Sequence, residues 1–244
     1  MAFTKHFFTA ALFFCAWAAQ AQTPEATIRK NLAERIPQFQ KIDGIGKSPF
    51  PGLYEVWMNR GEGVEMYYSD AQGSYLIQGP MFDTKLQRNL TEERIVKLSA
   101  VDFDQLPMRD AFTIVRGSGK RQLAIFVDPN CGFCKRFEAG LQTVDDLTVH
   151  LFLLPVLGPD SVEKSKRIWC SKDPAKTWID WMVRSQPISP IASSACDASA
   201  VARNLTFGRK YRINGTPTLI FASGRREPGA IPIDMVEKYL SDTR

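Results

Sequence analysis

Apolar positions recur along this chain in two rhythms. Between Thr23 and Ile36 they fall at Ile28, Leu32 and Ile36, one face of a short helix that Pro37 stops. Leu53–Asn59, Val64–Ser69 and Ser74–Gln78 then alternate apolar and polar residues. The series Leu53, Glu55, Trp57 and Val64, Met66, Tyr68 predict a half-buried antiparallel sheet. Arg60-Gly61-Glu62-Gly63 and Asp70-Ala71-Gln72-Gly73 are the hairpin turns, and Gly79-Pro80 ends the last strand. Gly44-Ile45-Gly46 and Gly61-Glu62-Gly63 are too short for phosphate loops and read as turns. One helix and a few strands make a marginal core. Pairing of the sheet with a second copy would complete it.

Leu86 to Leu106 reads as a connector. Thr91 is placed to cap a helix whose first turn holds Glu92 and Glu93, with Ile95 and Leu98 on one side, and Pro107 closes it. Such a helix is a semi-rigid spacer between two modules, or else a surface helix packed on one of them. Beyond it, Phe112–Val115 and Gln122–Val127 predict strands joined by Arg116-Gly117-Ser118-Gly119, and Thr148–Val156 predicts another. Asp160 to Gly208 is mostly helical in pattern, with Trp169, Trp178 and Trp181 as bulk. Gly215-Thr216-Pro217-Thr218 turns into a strand, and a hairpin through Ala222–Arg225 leads to a last helix over Ile233–Leu240. The second half is therefore an α/β layer with a mixed sheet.

The chemistry concentrates at Asp128-Pro129-Asn130-Cys131-Gly132-Phe133-Cys134, after the apolar run Leu123–Val127. Phe133, Phe137 and Leu141 at i, i+4 spacing make the following residues a helix. A helix start presents free N–H groups and about half a positive charge, which favours thiolate over thiol. Cys131 is expected to be the exposed, attacking sulfur and Cys134 the resolving one. Gly132 and Phe133 form the turn between them and bring no charge; Lys135 and Arg136 point either at the thiols or into solvent. A zinc reading needs two more ligands, and only Cys170, Cys196 and His150 are at hand without a second Cys-x-x-Cys, so neither metal nor cofactor is expected. Ser161-Val162-Glu163-Lys164 matches the Ser-x-x-Lys of acyl-enzymes but has no companion motif.

Composition changes the picture mainly through export. The chain has 244 residues, enough for two small domains, and a net charge of +5 without basic runs, which argues against nucleic-acid binding. Lys5 and His6 precede an apolar stretch from Phe7 to Ala19, and Ala19-Gln20-Ala21 fits a signal-peptidase site. Residues 1–21 are read as a signal peptide, with Cys15 discarded inside it. The mature chain keeps Cys131, Cys134, Cys170 and Cys196, an even number in a compartment where disulfides persist.

Several landmarks in order carry a resemblance. Gln78-Gly79-Pro80-Met81-Phe82-Asp83, Cys131-Gly132-Phe133-Cys134, Ile168-Trp169-Cys170-Ser171-Lys172-Asp173, Cys196-Asp197 and Gly215-Thr216-Pro217 resemble the DsbC/DsbG family of periplasmic thiol:disulfide interchange proteins, within the thioredoxin-like superfamily. The resemblance covers nearly the whole mature chain. It implies an α+β N-terminal dimerisation module with a cystatin-like small sheet plus helix (22–85), a helical linker (86–107), and an α/β thioredoxin-like catalytic domain with a helical insertion (108–244). It also implies a V-shaped homodimer in the periplasm, an isomerase of misoxidised or unfolded exported proteins with chaperone-like binding, and the membrane reductase DsbD as electron donor.

Within that resemblance Pro217 is cis and Thr216 offers its backbone to substrate like an added strand, with a hydroxyl near Cys131. Cys170 and Cys196 are expected to form a structural disulfide, worth roughly 3.5 kcal/mol on the chain-entropy model; a second redox pair is the alternative, though Trp169 beside Cys170 points to burial. Thioredoxin carries a buried acid where this chain has apolar Ile125, so a proton-relay carboxylate is missing there. Asp128 could stand in, but a turn or cap role fits it better. The competing functions are a reductase of sulfenic acids or single disulfides, a dimeric chaperone with secondary redox chemistry, and an oxidase.

Overall fold

The computed structural model describes residues 22–60, 63–190 and 195–242. The expected signal peptide (1–21) and the turn residues Gly61 and Glu62 lie outside them. Helix α1, Pro24–Arg35, starts where the Thr23 side chain accepts from the Ala26 N–H at 3.3 Å, and it buries Ile28 and Leu32.

A four-stranded antiparallel sheet follows, in the order β1-β2-β3-β4: β1 Gly44–Lys47, β2 Leu53–Arg60, β3 Gly63–Asp70 and β4 Leu76–Ile77. The Gly44-Ile45-Gly46 stretch is thus a strand rather than a turn. Its glycines have a packing reason: Gly44 pairs with Trp57, and a Cβ on Gly44 would stand 2.0 Å from the Trp57 indole carbon Cζ2. A glycine pair that looks like punctuation is here the seat of an indole.

Both faces of this sheet are covered, so the half-buried expectation does not hold. Val56, Met58 and Tyr67 face α1 and join Ile28, Leu32, Phe39 and Ile42 in one core. Glu55, Trp57, Met66 and Tyr68 belong to the opposite face. Glu55 is 6 % exposed and ion-pairs with Arg94 at 2.8 Å, while the Arg94 guanidinium lies 5.1 Å from the Trp57 ring centroid.

Arg94 comes from the expected connector. After the short ribbon of β5 (Phe82–Asp83) and β6 (Arg88–Asn89), helix α2 spans only Leu90–Ser99 and packs on β3. The packed surface helix, rather than the free-standing spacer, is what forms. Its cap is Asn89, whose side chain accepts from Glu92 N–H at 3.1 Å. Thr91 is instead buried inside the first turn, bonded to the Tyr68 hydroxyl and to Met81 N–H. Two 3₁₀ turns, Phe103–Gln105 and Met108–Asp110, then carry Val101, Phe103 and Leu106 into the core of the second module.

That module is built on a five-stranded sheet, ordered β11-β10-β8-β9-β7, from β7 Phe112–Arg116, β8 Arg121–Val127, β9 Leu147–Leu153, β10 Thr218–Phe221 and β11 Arg226–Pro228. Only β8 and β9 run parallel, as the helix between them (α3, Gly132–Leu141) requires. The central strand β8 reads as a continuous apolar run because both its faces are covered. Leu123, Ile125 and Val127 pack with α3 on one side, and Ala124 and Phe126 pack with Phe152, Leu154 and Ile220 on the other. Helices α4 (Pro159–Trp169), α5 (Pro174–Met182) and α6 (Ser199–Tyr211) form the helical insertion, and α7 (Ile233–Ser241) ends the described chain. Cys170 and Cys196 are disulfide-bonded, joining the end of α4 to the approach to α6. Both are half-buried rather than enclosed, and Trp169 beside them donates from Nε1 to the Asp197 carbonyl at 3.0 Å.

Candidate active site

The sheet delivers the end of β8 into a turn whose last residue caps α3. Cys131 is the N-cap: its Sγ accepts from Cys134 N–H at 3.2 Å, and its own N–H donates to the Asp128 carbonyl at 3.0 Å. From the far side of the fold, the Gly215–Pro217 loop closes on the same sulfur. The Thr216–Pro217 bond is cis, and the Cys131 thiol contacts the Thr216 backbone carbonyl at 3.1 Å. Cys131, Cys134, Thr216 and Pro217 thus come together at the head of one helix.

Burial corrects one expectation. Cys131 is not an exposed sulfur: it is 5 % exposed against 2 % for Cys134. The two thiols are separated instead by their electrostatics. Hydrogen bonding from Cys134, opposed by burial and aided by the Thr216 side chain and the first N–H groups of α3, lowers the Cys131 pKa from 9.0 to about 6. Burial, then the hydrogen bond with Cys131, pushes the Cys134 pKa far up. The site therefore holds one thiolate and one retained proton near neutral pH.

The neighbouring cations do other work. Lys135 Nζ donates to Ser185 Oγ at 2.8 Å, and the Arg136 guanidinium stacks on Phe133, 4.6 Å from its ring centroid. Phe133 itself, between the two cysteines in sequence, is 61 % exposed.

Asp128 is fully buried and takes the turn role. One oxygen accepts from Asn130 N–H and Ser161 Oγ, the other from the N–H groups of Val156 and Leu157. A buried carboxylate that sequence reasoning missed lies further along α3. Glu138 is 2 % exposed on the inner face of α3, one turn beyond Cys134. It accepts from Trp178 Nε1 at 3.0 Å, Gln142 Nε2 at 3.0 Å and Arg116 Nη2 at 3.4 Å. Burial pushes its pKa up against those partners. The signal was available in the spacing, since 134, 137, 138 and 141 form one helical stripe. Among the described residues no cluster of His, Cys, Asp and Glu is arranged to hold a metal ion.

The family profile described as a disulfide bond isomerase protein N-terminal domain matches residues 19–92, and that of a thioredoxin-like domain matches residues 108–244. A probable thiol:disulfide interchange protein DsbC of Bordetella parapertussis is 42 % identical over 224 residues, covering 91 % of this chain and 77 % of its own length. The chain belongs to the DsbC family. The Escherichia coli thiol:disulfide interchange protein DsbC is 28 % identical over 234 residues, covering 93 % of this chain and 92 % of its own. The crystal structure of a disulfide interchange protein from Neisseria gonorrhoeae, 39 % identical, superposes with a TM-score of 0.51 over 55 % of this chain and 96 % of its own. As a DsbC-family member the chain is a thiol–disulfide interchange enzyme of the isomerase type, with the family's N-terminal module ahead of a thioredoxin-like domain.

Proposed function

We propose that this enzyme rearranges incorrect disulfides in exported proteins, with Cys131 as the attacking thiolate and Cys134 as the resolving thiol. The observation that carries the assignment is the placement of Cys131 at the head of α3, its sulfur accepting the Cys134 N–H at 3.2 Å and facing the cis Thr216–Pro217 loop, with the Cys131 pKa lowered and that of Cys134 raised as a consequence. The Cys131 thiolate attacks one sulfur of a substrate disulfide, forms a mixed disulfide and releases the other sulfur as thiolate. A second substrate thiolate then attacks the substrate sulfur of that bond, closes a new disulfide and returns Cys131 as thiolate. No net electrons move on this route. In the escape route Cys134 loses its proton and attacks Cys131 Sγ, which leaves the substrate reduced and the enzyme oxidised. Reset then needs a reductant, and the resemblance names the membrane reductase DsbD.

Thr216 and Pro217 form the wall against which a substrate backbone lies, with Gly132 and Phe133 as the opposite lip. Cys170–Cys196 is structural. We take residues 22–85 as the pairing module, 86–107 as the connector and 108–244 as the catalytic domain, with export to the periplasm directed by 1–21. Homodimerisation through the N-terminal sheet is supported by β4, which among the described residues pairs only with β3, and by exposed Tyr75, Ile77, Phe82 and Leu86 within and flanking it along the chain.

The test is reactivation of a scrambled multi-disulfide protein by the reduced chain, with sedimentation to read the assembly. Catalysed recovery that is lost in Cys131→Ala is expected; equal recovery by that variant overturns the reading.

A further inference from the structure

Ser161-Val162-Glu163-Lys164 has no role in an acyl-enzyme here, and the fold gives it another use. Both ends of the motif lie against the turn that precedes Cys131. Ser161 is fully buried; its Oγ donates to Asp128 Oδ1 at 2.7 Å and accepts from Asn130 Nδ2 at 3.0 Å. The same Nδ2 donates to Asp160 Oδ2 at 2.8 Å. Asn130 Oδ1 in turn accepts from Lys164 Nζ at 2.7 Å. The Lys164 ammonium also pairs with Asp160 at 2.7 Å and sits 4.7 Å from the Trp181 ring centroid. Trp181 completes the ring of contacts by donating from Nε1 to the Pro129 carbonyl at 2.6 Å.

Each of the three residues before Cys131 is therefore held from the insertion side: Asp128 by Ser161 of α4 and by the loop leading to that helix, Pro129 by α5, and Asn130 by α4. The charged groups bounding the turn are Asp128 within it, Asp160 and Lys164 from α4, and Lys135 and Arg136 from α3. Of these, Lys164 is the one that satisfies the Asn130 acceptor. Without it the Asn130 amide is held only through its Nδ2 bonds to Ser161 and Asp160, and the backbone that sets the Cys131 sulfur against Cys134 N–H and Thr216 loses one side of its clamp.

We propose that Lys164 and Asn130 are positioning residues for the exchange reaction: their contact fixes the turn that aims the Cys131 sulfur, and neither touches the reacting sulfurs. Exchange needs a nucleophile aligned with the disulfide it attacks, and small misplacements of reacting atoms cost rate steeply. The proposal rests on Cys131 being the attacking thiol.

The experiment titrates the thiolate absorbance of the reduced full chain and measures its rate with a small aromatic disulfide at pH 7, recording the melting temperature alongside. Lys164→Met keeps the stem over Trp181 and removes the ammonium. It is expected to raise the thiolate midpoint by about one pH unit, a tenfold loss of thiolate below the midpoint, and to slow the reaction by several-fold. Asn130→Ala, which also removes the bonds to Ser161 and Asp160, should lose at least as much, and the double variant should lose clearly less than the sum of the two, because the Lys164–Asn130 contact is common to both. Lys164→Arg should recover most of the loss, and Lys166→Gln, which removes an exposed charge from the same helix, should change nothing. An unmoved midpoint and rate with a lowered melting temperature would reduce the clamp to scaffolding and overturn the proposal. So would additive losses in the double variant, or an equal shift in Lys166→Gln, since either would mean that charge alone is felt. In Cys131→Ala the near-neutral thiolate signal should vanish; its persistence would refute the assignment of Cys131 independently of the clamp.

Discussion

The Thr216 carbonyl oxygen lies 3.1 Å from the Cys131 sulfur, although 85 positions of chain separate the two residues. The contact closes the site across the sheet. One wall comes from the helix that follows β8 and the other from the loop that enters β10. The sulfur is therefore enclosed by two segments that are remote from each other in the chain, and Cys131 is only 5 % exposed.

Alkylation should report the lowered thiol directly. The rate at Cys131 is expected to rise with pH through about 6 and to level off above pH 7, with Cys134 unmodified. Folding stability carries the same signature. The folded pKa of Cys131 lies below its ordinary value of 9.0, so its stabilising contribution is complete above about pH 9 and is lost as pH falls to about 6. Denaturant unfolding of the reduced protein between these limits should show stability rising with pH, and the rise should shrink in Cys131→Ala. A slope unchanged by that substitution would contradict the lowered pKa.

Glu138→Ala should be among the most damaging single changes in the catalytic domain. It strands the Trp178 N–H and the Arg116 guanidinium, whose side chain is only 13 % exposed. Removing one partner of a buried pair costs about 3–5 kcal/mol. Glu138→Gln keeps the side-chain shape but only one acceptor oxygen, so either the Trp178 N–H or the Arg116 and Gln142 donors face an amide NH2, and it should cost less than alanine while remaining destabilising. Unfolding midpoints in urea compare the two.

At Gly44 the expected effect is steric. Gly44→Ala drives a methyl group into the Trp57 indole, where the ideal Cβ would lie 2.0 Å from Cζ2. Overpacking of this kind costs about 1–3 kcal/mol. The loss should appear in the N-terminal module and weaken pairing, while the thiolate midpoint of Cys131 stays where it is. Thermal unfolding and sedimentation read both consequences.

Replacing both Cys170 and Cys196 by alanine should lower stability by about 3–4 kcal/mol on the chain-entropy model. These residues are disulfide-bonded at a separation of 26 positions. Exchange with a small disulfide at 25 °C should persist. Its disappearance in a folded double variant would revive a redox role for this pair.

The sequence by itself determined the elements with strong local signals. Thr23 and Pro37 bracket a helix, the alternating runs at 53–60 and 63–70 make strands, and an apolar run feeding Cys131-Gly132-Phe133-Cys134 marks a strand leading into a reactive helix start. These are nearest-neighbour effects, carried by periodicity and by the chemistry of caps and turns. Tertiary structure decided what depends on a distant partner. Gly44-Ile45-Gly46 became a strand because Trp57 needs the space, and α2 became a packed helix because Glu55 and Tyr68 offer it buried polar partners. Glu138 could be a buried acid only because Arg116, Gln142 and Trp178 converge on it. The motif around Cys131 could name thiol chemistry, but the depth of the sulfur, the Thr216 wall and the clamp from Lys164 through Asn130 come from segments remote in the chain. Burial and hydrogen bonding across such separations leave no periodic trace in the sequence.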